Sequence, residues 1–107
     1  MQKHLHKKNI IIDLDGTICS EEKTFSRALA IPKKGAAETI KKLKNKGYNI
    51  IIYTARSWTE YEITKNWLNK NKIKFDELFM GKPIGEYWID DRAIKFNNWD
   101  SVSKKIK

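Results

Sequence analysis

Cysteine is almost absent from this chain: Cys19 stands alone among 107 residues. A single thiol excludes an intramolecular disulfide and any metal site built from cysteines. Proline occurs only at Pro32 and Pro83, and no repeat, linker or low-complexity stretch interrupts the sequence. No apolar run approaches the roughly 20 residues that cross a bilayer. The opening residues, Met1 to Lys8, lack an apolar signal core. A cytoplasmic protein with no membrane attachment is expected. Arginine is scarce too, with only Arg27, Arg56 and Arg92 among 22 basic residues. Phosphate-reading nucleic-acid surfaces recruit arginine for two-pronged contacts. The net charge of +9, which by itself would favour nucleic acid, therefore reads as a bias toward Lys, Ile and Asn, and the scarcity of arginine argues against a nucleic-acid partner. A small phosphorylated molecule would gain from the same positive field.

The length predicts one domain over residues 1–107 with a single modest core. Asn9 to Leu14 reads as a buried strand, a short apolar run ending in a turn signal. Residues 18 to 34 read as a loop or flap. Gly35 to Lys46 reads as a helix with Ala36, Ile40 and Leu43 on one face, closed by Gly47. Tyr48 to Tyr53 is a second buried strand. Ser57 and Glu60 form a capping-box pattern, opening a helix to about Lys70 with Ile63, Trp67 and Leu68 inward. Glu77 to Met80 and Tyr87 to Asp90 are short strand candidates. Trp99, Val102 and Ile106 fit a final amphipathic helix. Alternating strands and helices predict a three-layer α/β sandwich around a mainly parallel, Rossmann-like sheet. In such sheets the site lies beyond the carboxyl ends of the strands.

The polar residues fall at those ends. Ile10-Ile11-Ile12 runs into Asp13-Leu14-Asp15-Gly16-Thr17. Residues two apart on an extended segment point the same way, and Gly16 permits the sharp turn that exposes both acids. Two carboxylates this close suit a divalent cation, or a division between nucleophile and acid/base. Thr54 and Asp90 follow two further apolar runs. Parallel strands would bring all three to one edge.

The order Asp13-x-Asp15-Gly16-Thr17, then Thr54, then Lys82 in Gly81-Lys82-Pro83, then Asp90-Asp91 resembles the four motifs of the haloacid dehalogenase-like (HAD) phosphohydrolases. The resemblance covers residues 9 to 95. It implies that Asp13 is the nucleophile forming an aspartyl phosphate. Asp15 would be the acid to the leaving oxygen and then the base for water. Thr54 and Lys82 would hold the phosphoryl oxygens. Asp90 or Asp91, with Asp13 and the Asp15 carbonyl, would bind Mg²⁺. The gaps of 38 and 27 residues between the first three motifs leave no room for a cap domain. An open site takes a macromolecular substrate or borrows a wall from a neighbouring subunit, so a dimer or tetramer is expected. Gly81-Lys82-Pro83, Ile89-Asp90-Asp91-Arg92-Ala93-Ile94 and Cys19 look like a group of capsule-polysaccharide biosynthesis phosphatases. That match implies a sugar-phosphate or polyol-phosphate substrate. Response-regulator receiver domains use similar residues, but their acid pair comes first and the phosphorylated Asp mid-chain, the reverse of the order here.

Other readings stay open at this level. The enzyme could act on a nucleotide or a nucleic-acid 3′ phosphate, or the chain could be a catalytically silent HAD-fold binding module. Arg56 is either a surface charge or a substrate contact. Trp58 and Trp88 either line a substrate wall or pack a core. His4 and His6 read as solvated. One tension concerns Lys82. Only six residues separate Met80 from Tyr87, a reach of about 20 Å, whereas parallel strands need a crossover of roughly a dozen residues or more.

Overall fold

The computed structural model describes residues 7–107. His4, His6 and the other first six positions lie outside it. Strands β1 (Asn9–Asp13), β2 (Asn49–Tyr53) and β3 (Glu77–Phe79) form a parallel sheet in the order β1-β2-β3. Asp13 lies opposite Tyr53, and Tyr53 opposite Phe79. Three helices follow in sequence: α1 (Ala36–Asn45), α2 (Tyr61–Lys70) and α3 (Trp99–Lys105). This is the α/β architecture with a parallel sheet that the alternation of patterns predicts. The flap between the first acids and α1 contains a single 3₁₀ segment, Thr24–Leu29.

Each crossover steps one strand in the same direction. Right-handed connections then place α1 and α2 over the same face of the sheet. That face carries Ile12, Ile50, Ile52 and Leu78, all buried together with Ile40, Leu43, Trp67 and Leu68 in one core. Gly35 starts α1 at φ +84°, where a Cβ would also press to 3.3 Å from the Cβ of Trp99. The Ser57–Glu60 capping box is present, but it opens a 3₁₀ turn, Trp58–Glu60, ahead of α2. Along α2, Thr64 turns inward with Trp67 and Leu68, whereas Ile63 stays 42% exposed. The expected inward Ile63 gives way to Thr64 because a buried guanidinium needs its hydroxyl (below).

The opposite face remains open. Ile11 is 63% and Phe79 44% exposed. Ile51 and Tyr53, half-buried between them, stand outside the core. The predicted strand Tyr87 to Asp90 does not form, and residues 83–95 are exposed throughout. The six-residue connection explains this, being too short to return the chain to the bottom of the sheet and up again. Among the described residues, β1 therefore keeps one edge without a strand partner. No described helix is long and apolar enough to cross a membrane.

Candidate active site

The acid loop grows directly from β1. Leu14, fully buried, plugs the core, and its carbonyl accepts from the N–H groups of Thr17, Ile18 and Cys19 at 3.1, 2.8 and 3.2 Å. Gly16 adopts φ +85°, a left-handed conformation that few side-chain-bearing residues tolerate. Its N–H donates to the Cys19 carbonyl at 2.8 Å. From the far end of the chain, Trp99 donates its indole N–H to the Thr17 carbonyl at 2.9 Å. The turn that presents Asp13 and Asp15 is thus fixed on both sides.

Lys82 reaches Asp13 by a short route. Past β3, the Gly81 N–H donates to the Arg56 carbonyl and the Lys82 N–H to the Thr54 carbonyl, both at 2.8 Å. The segment after β3 is thereby laced to the segment after β2. This resolves the tension over Lys82: it needs no crossover, because it lies three residues beyond the end of β3, the strand it follows. Its Nζ stands 3.3 Å from Asp13 Oδ1. The ammonium also faces the rings of Tyr53 and Trp88, 5.9 and 5.2 Å from their centroids, where ring quadrupoles attract a cation.

Arg56 is neither a surface charge nor a free substrate contact. It is 3% exposed. Its Nε donates to Asp15 Oδ2 at 3.0 Å and its Nη2 to Asp15 Oδ1 at 2.7 Å, while Nη1 donates to Thr64 Oγ1 at 3.0 Å. Burial works against the guanidinium's charge, but the hydrogen bonds to Asp15 and its negative charge outweigh it and raise the Arg56 pKa. Thr54 is also buried, and its Oγ1 accepts from the Arg56 backbone N–H at 3.2 Å. Cys19 Sγ lies 3.8 Å from Asp15 Oδ1. Burial first, and then the Asp15 charge, push its thiol up to about 12. A thiol so held is a neutral donor and no nucleophile.

The structure brings together Asp13, Asp15, Thr54, Arg56 and Lys82. It does not bring Asp90 and Asp91 to them. Both acids are exposed. Asp90 Oδ1 accepts from the Arg92 N–H at 2.9 Å, and Asp91 faces the Arg92 side chain at 4.0 Å. Among the described residues, no three acidic, histidine or cysteine side chains gather as a cation site. Both Asp15 carboxylate oxygens accept from Arg56, which leaves its backbone carbonyl, the expected ligand, uninvolved, and Asp13 Oδ1 faces Lys82. Of the expected Mg²⁺ ligands Asp13, Asp15, Asp90 and Asp91, the last two are not beside the first two, because the segment carrying them does not join the sheet. Thr64 was not singled out by its sequence. A threonine on a helix carries no periodic signal of the arginine it will satisfy.

Residues 10–105 match the family described as PITM 1-3, LNS2 domain. No curated protein matches the sequence. A solved structural-genomics target from Vibrio cholerae superposes with a TM-score of 0.74 at 29% identity, covering 94% of this chain and 89% of that one. A chain of the Pnkp1/Rnl/Hen1 complex superposes with a TM-score of 0.64 at 26% identity, covering 84% of this chain but only 32% of that one. D,D-heptose 1.7-bisphosphate phosphatase from B. bronchiseptica, complexed with magnesium and phosphate, shares the fold at a TM-score of 0.53 and 21% identity, over 80% of this chain and 54% of that one. The core is HAD-like, and with nearly its whole length inside the family match, the chain belongs to the LNS2 domain family.

Proposed function

We propose that this protein hydrolyses phosphate monoesters through an aspartyl-phosphate intermediate, as a capless HAD phosphatase. The observation that carries the reading is the pairing of two differently held carboxylates at one strand end. Asp13 is 38% exposed beside Lys82, while Asp15 is clamped by a buried arginine. An Asp13 oxygen forms the bond to phosphorus as the bond to the leaving oxygen breaks, and protonated Asp15 gives that oxygen its proton. In the second half Asp15 takes a proton from water. The resulting hydroxide attacks phosphorus, and the bond to Asp13 breaks, which regenerates the carboxylate and releases phosphate. Lys82 offsets the charge that accumulates as carboxylate and phosphate approach. Thr54 donates its hydroxyl to a phosphoryl oxygen. Since both Asp15 oxygens accept from Arg56, its work as an acid requires it to release one of those bonds.

The substrate class is a small soluble phosphate ester, a sugar or polyol phosphate of the kind consumed in polysaccharide synthesis. The lysine beside Asp13 supports that reading, and so does the resemblance around Gly81-Lys82-Pro83. A second reading, hydrolysis of a nucleic-acid end phosphate, is favoured by the likeness to the Pnkp1 chain and by the net charge of +9. A panel of sugar phosphates, nucleotides and 3′-phosphorylated oligonucleotides, with and without Mg²⁺, separates the two. Turnover of oligonucleotides with a steep loss at higher salt would reject the small-ester reading. Absence of turnover on the whole panel by folded protein would reject both in favour of a silent binding module.

A further inference from the structure

Two unsatisfied surfaces of the chain complement one another. One is the open sheet face with Ile11, Ile51, Tyr53 and Phe79, beside the unpaired edge of β1. Asp13 shares that face, two residues beyond Ile11. The other is the arm of residues 83–95. In it Ile84 is 87%, Tyr87 88%, Trp88 61% and Ile89 97% exposed. Lys82 anchors the arm at one end through the Thr54 carbonyl, and Phe96 anchors the other against Trp99. The molecule is correspondingly elongated, 47 by 29 by 25 Å, with a radius of gyration of 14.1 Å, where a globular chain of this length gives about 13 Å.

We propose that the arm of a second copy packs on the open face and brings Asp90 and Asp91 beside Asp13, so that each acid site is completed between two chains. For the meaning of those acids the proposal rests on the phosphatase reading; the packing itself does not. Two observations favour a second copy as the occupant. The arm and the face lie on the same chain, so a two-fold axis satisfies both pairs at once. In addition, the exposed parts of Ile84, Tyr87, Trp88 and Ile89 amount to roughly 600 Å² per arm at the usual size of such side chains. Two arms with their receiving faces exceed the ~1,200 Å² at which stable interfaces begin. Parallel sheets are ordinarily covered on both faces, and the exchange restores that cover. It also supplies the acids that one chain does not gather.

Sedimentation of the wild-type protein tests the first step, with a species of twice the 12.6 kDa chain mass expected. Single-cysteine additions then test the contact. Ile11→Cys protein mixed with Ile89→Cys protein and oxidised should give a disulfide-linked heterodimer, with buried Cys19 left out of the reaction. A monomer in sedimentation overturns the proposal, and so does a double variant that links only within one chain. Neither measurement depends on turnover, so each can fail or succeed independently of the phosphatase reading. Where turnover is found, Asp13→Asn protein mixed with Asp90→Asn/Asp91→Asn protein should recover about a quarter of wild-type activity, since half the dimers mix and each mixed dimer holds one intact site. No recovery in demonstrably mixed dimers overturns completion of the site in trans.

Discussion

Arg56 grips Asp15 with two parallel bonds, Nε to Oδ2 at 3.0 Å and Nη2 to Oδ1 at 2.7 Å, across 41 positions of sequence. The pair ties the loop after β2 to the loop after β1, so the geometry of the acids depends on a residue that is itself out of solvent.

Breaking that grip should cost both stability and rate. Arg56→Ala leaves Asp15 without its partner and is expected to destabilise the fold by about 3 kcal/mol, as for other broken buried pairs. Arg56→Lys keeps the charge but cannot make the fork, and should recover stability in part while turnover remains low. Urea unfolding of the three proteins, alongside kcat, checks this. An Arg56→Lys variant with wild-type kcat would show that the fork does not position Asp15.

Asp13→Asn should abolish phosphate release while leaving the fold intact, because Asp13 is partly exposed and carries no core contact. A fall of at least about 10³-fold in turnover is expected for loss of a nucleophile, with an unchanged thermal midpoint. Phosphate release and differential scanning fluorimetry supply the two readouts.

Lys82→Ala should lower kcat by about 10²–10³-fold, the usual effect of removing one charge-stabilising donor. Lys82→Arg should rescue poorly, since a planar fork does not reproduce the point charge that the ammonium places 3.3 Å from Asp13. Wild-type rates for Lys82→Ala would place the lysine outside the reaction.

Asp76 predicts a pH effect unrelated to the site. Burial works against its charge, but the Ile50 N–H at 2.8 Å and Lys44 at 2.6 Å outweigh it and hold the carboxyl below its usual range. A folded-state pKa below the unfolded one gives stability that is present above the unfolded value, near ~3.9. That stability is lost as pH falls through the lowered folded value. Asp76→Asn should be about 1 kcal/mol less stable than wild type at pH 7, and the gap should close in acid. Urea midpoints at pH 7 and pH 3 measure it.

Much of this architecture was legible in the chain. The triple isoleucines of β1 and β2 are short apolar runs ended by polar residues, and both became parallel strands, though buried on one face only rather than throughout. Ala36, Ile40 and Leu43 lie on the buried face of α1 as their spacing requires. Asp13 and Thr54 could be placed because each closes an apolar run and parallel strands share an edge; Asp90, expected there on the same ground, is exposed outside the sheet, and Lys82 came from the family resemblance alone. Tyr87 to Asp90 failed for a reason that local pattern does not carry. A strand exists only beside a partner, and the linker to it is too short. Arg56 was ambiguous because burial of a lone arginine is decided by Asp15, 41 positions away, and by Thr64 on the next helix, and neither pairing follows a local pattern.

The indole bond from Trp99 to the Thr17 carbonyl has a temporal side. The bond that pins the acid loop comes from a residue 82 positions later in the chain. Contacts of such long sequence separation form late, after the loop they close has been ordered. The pairing of β1 with β2 can thus stand while the acid turn is still loose, and the turn takes its final geometry only once Trp99 has docked.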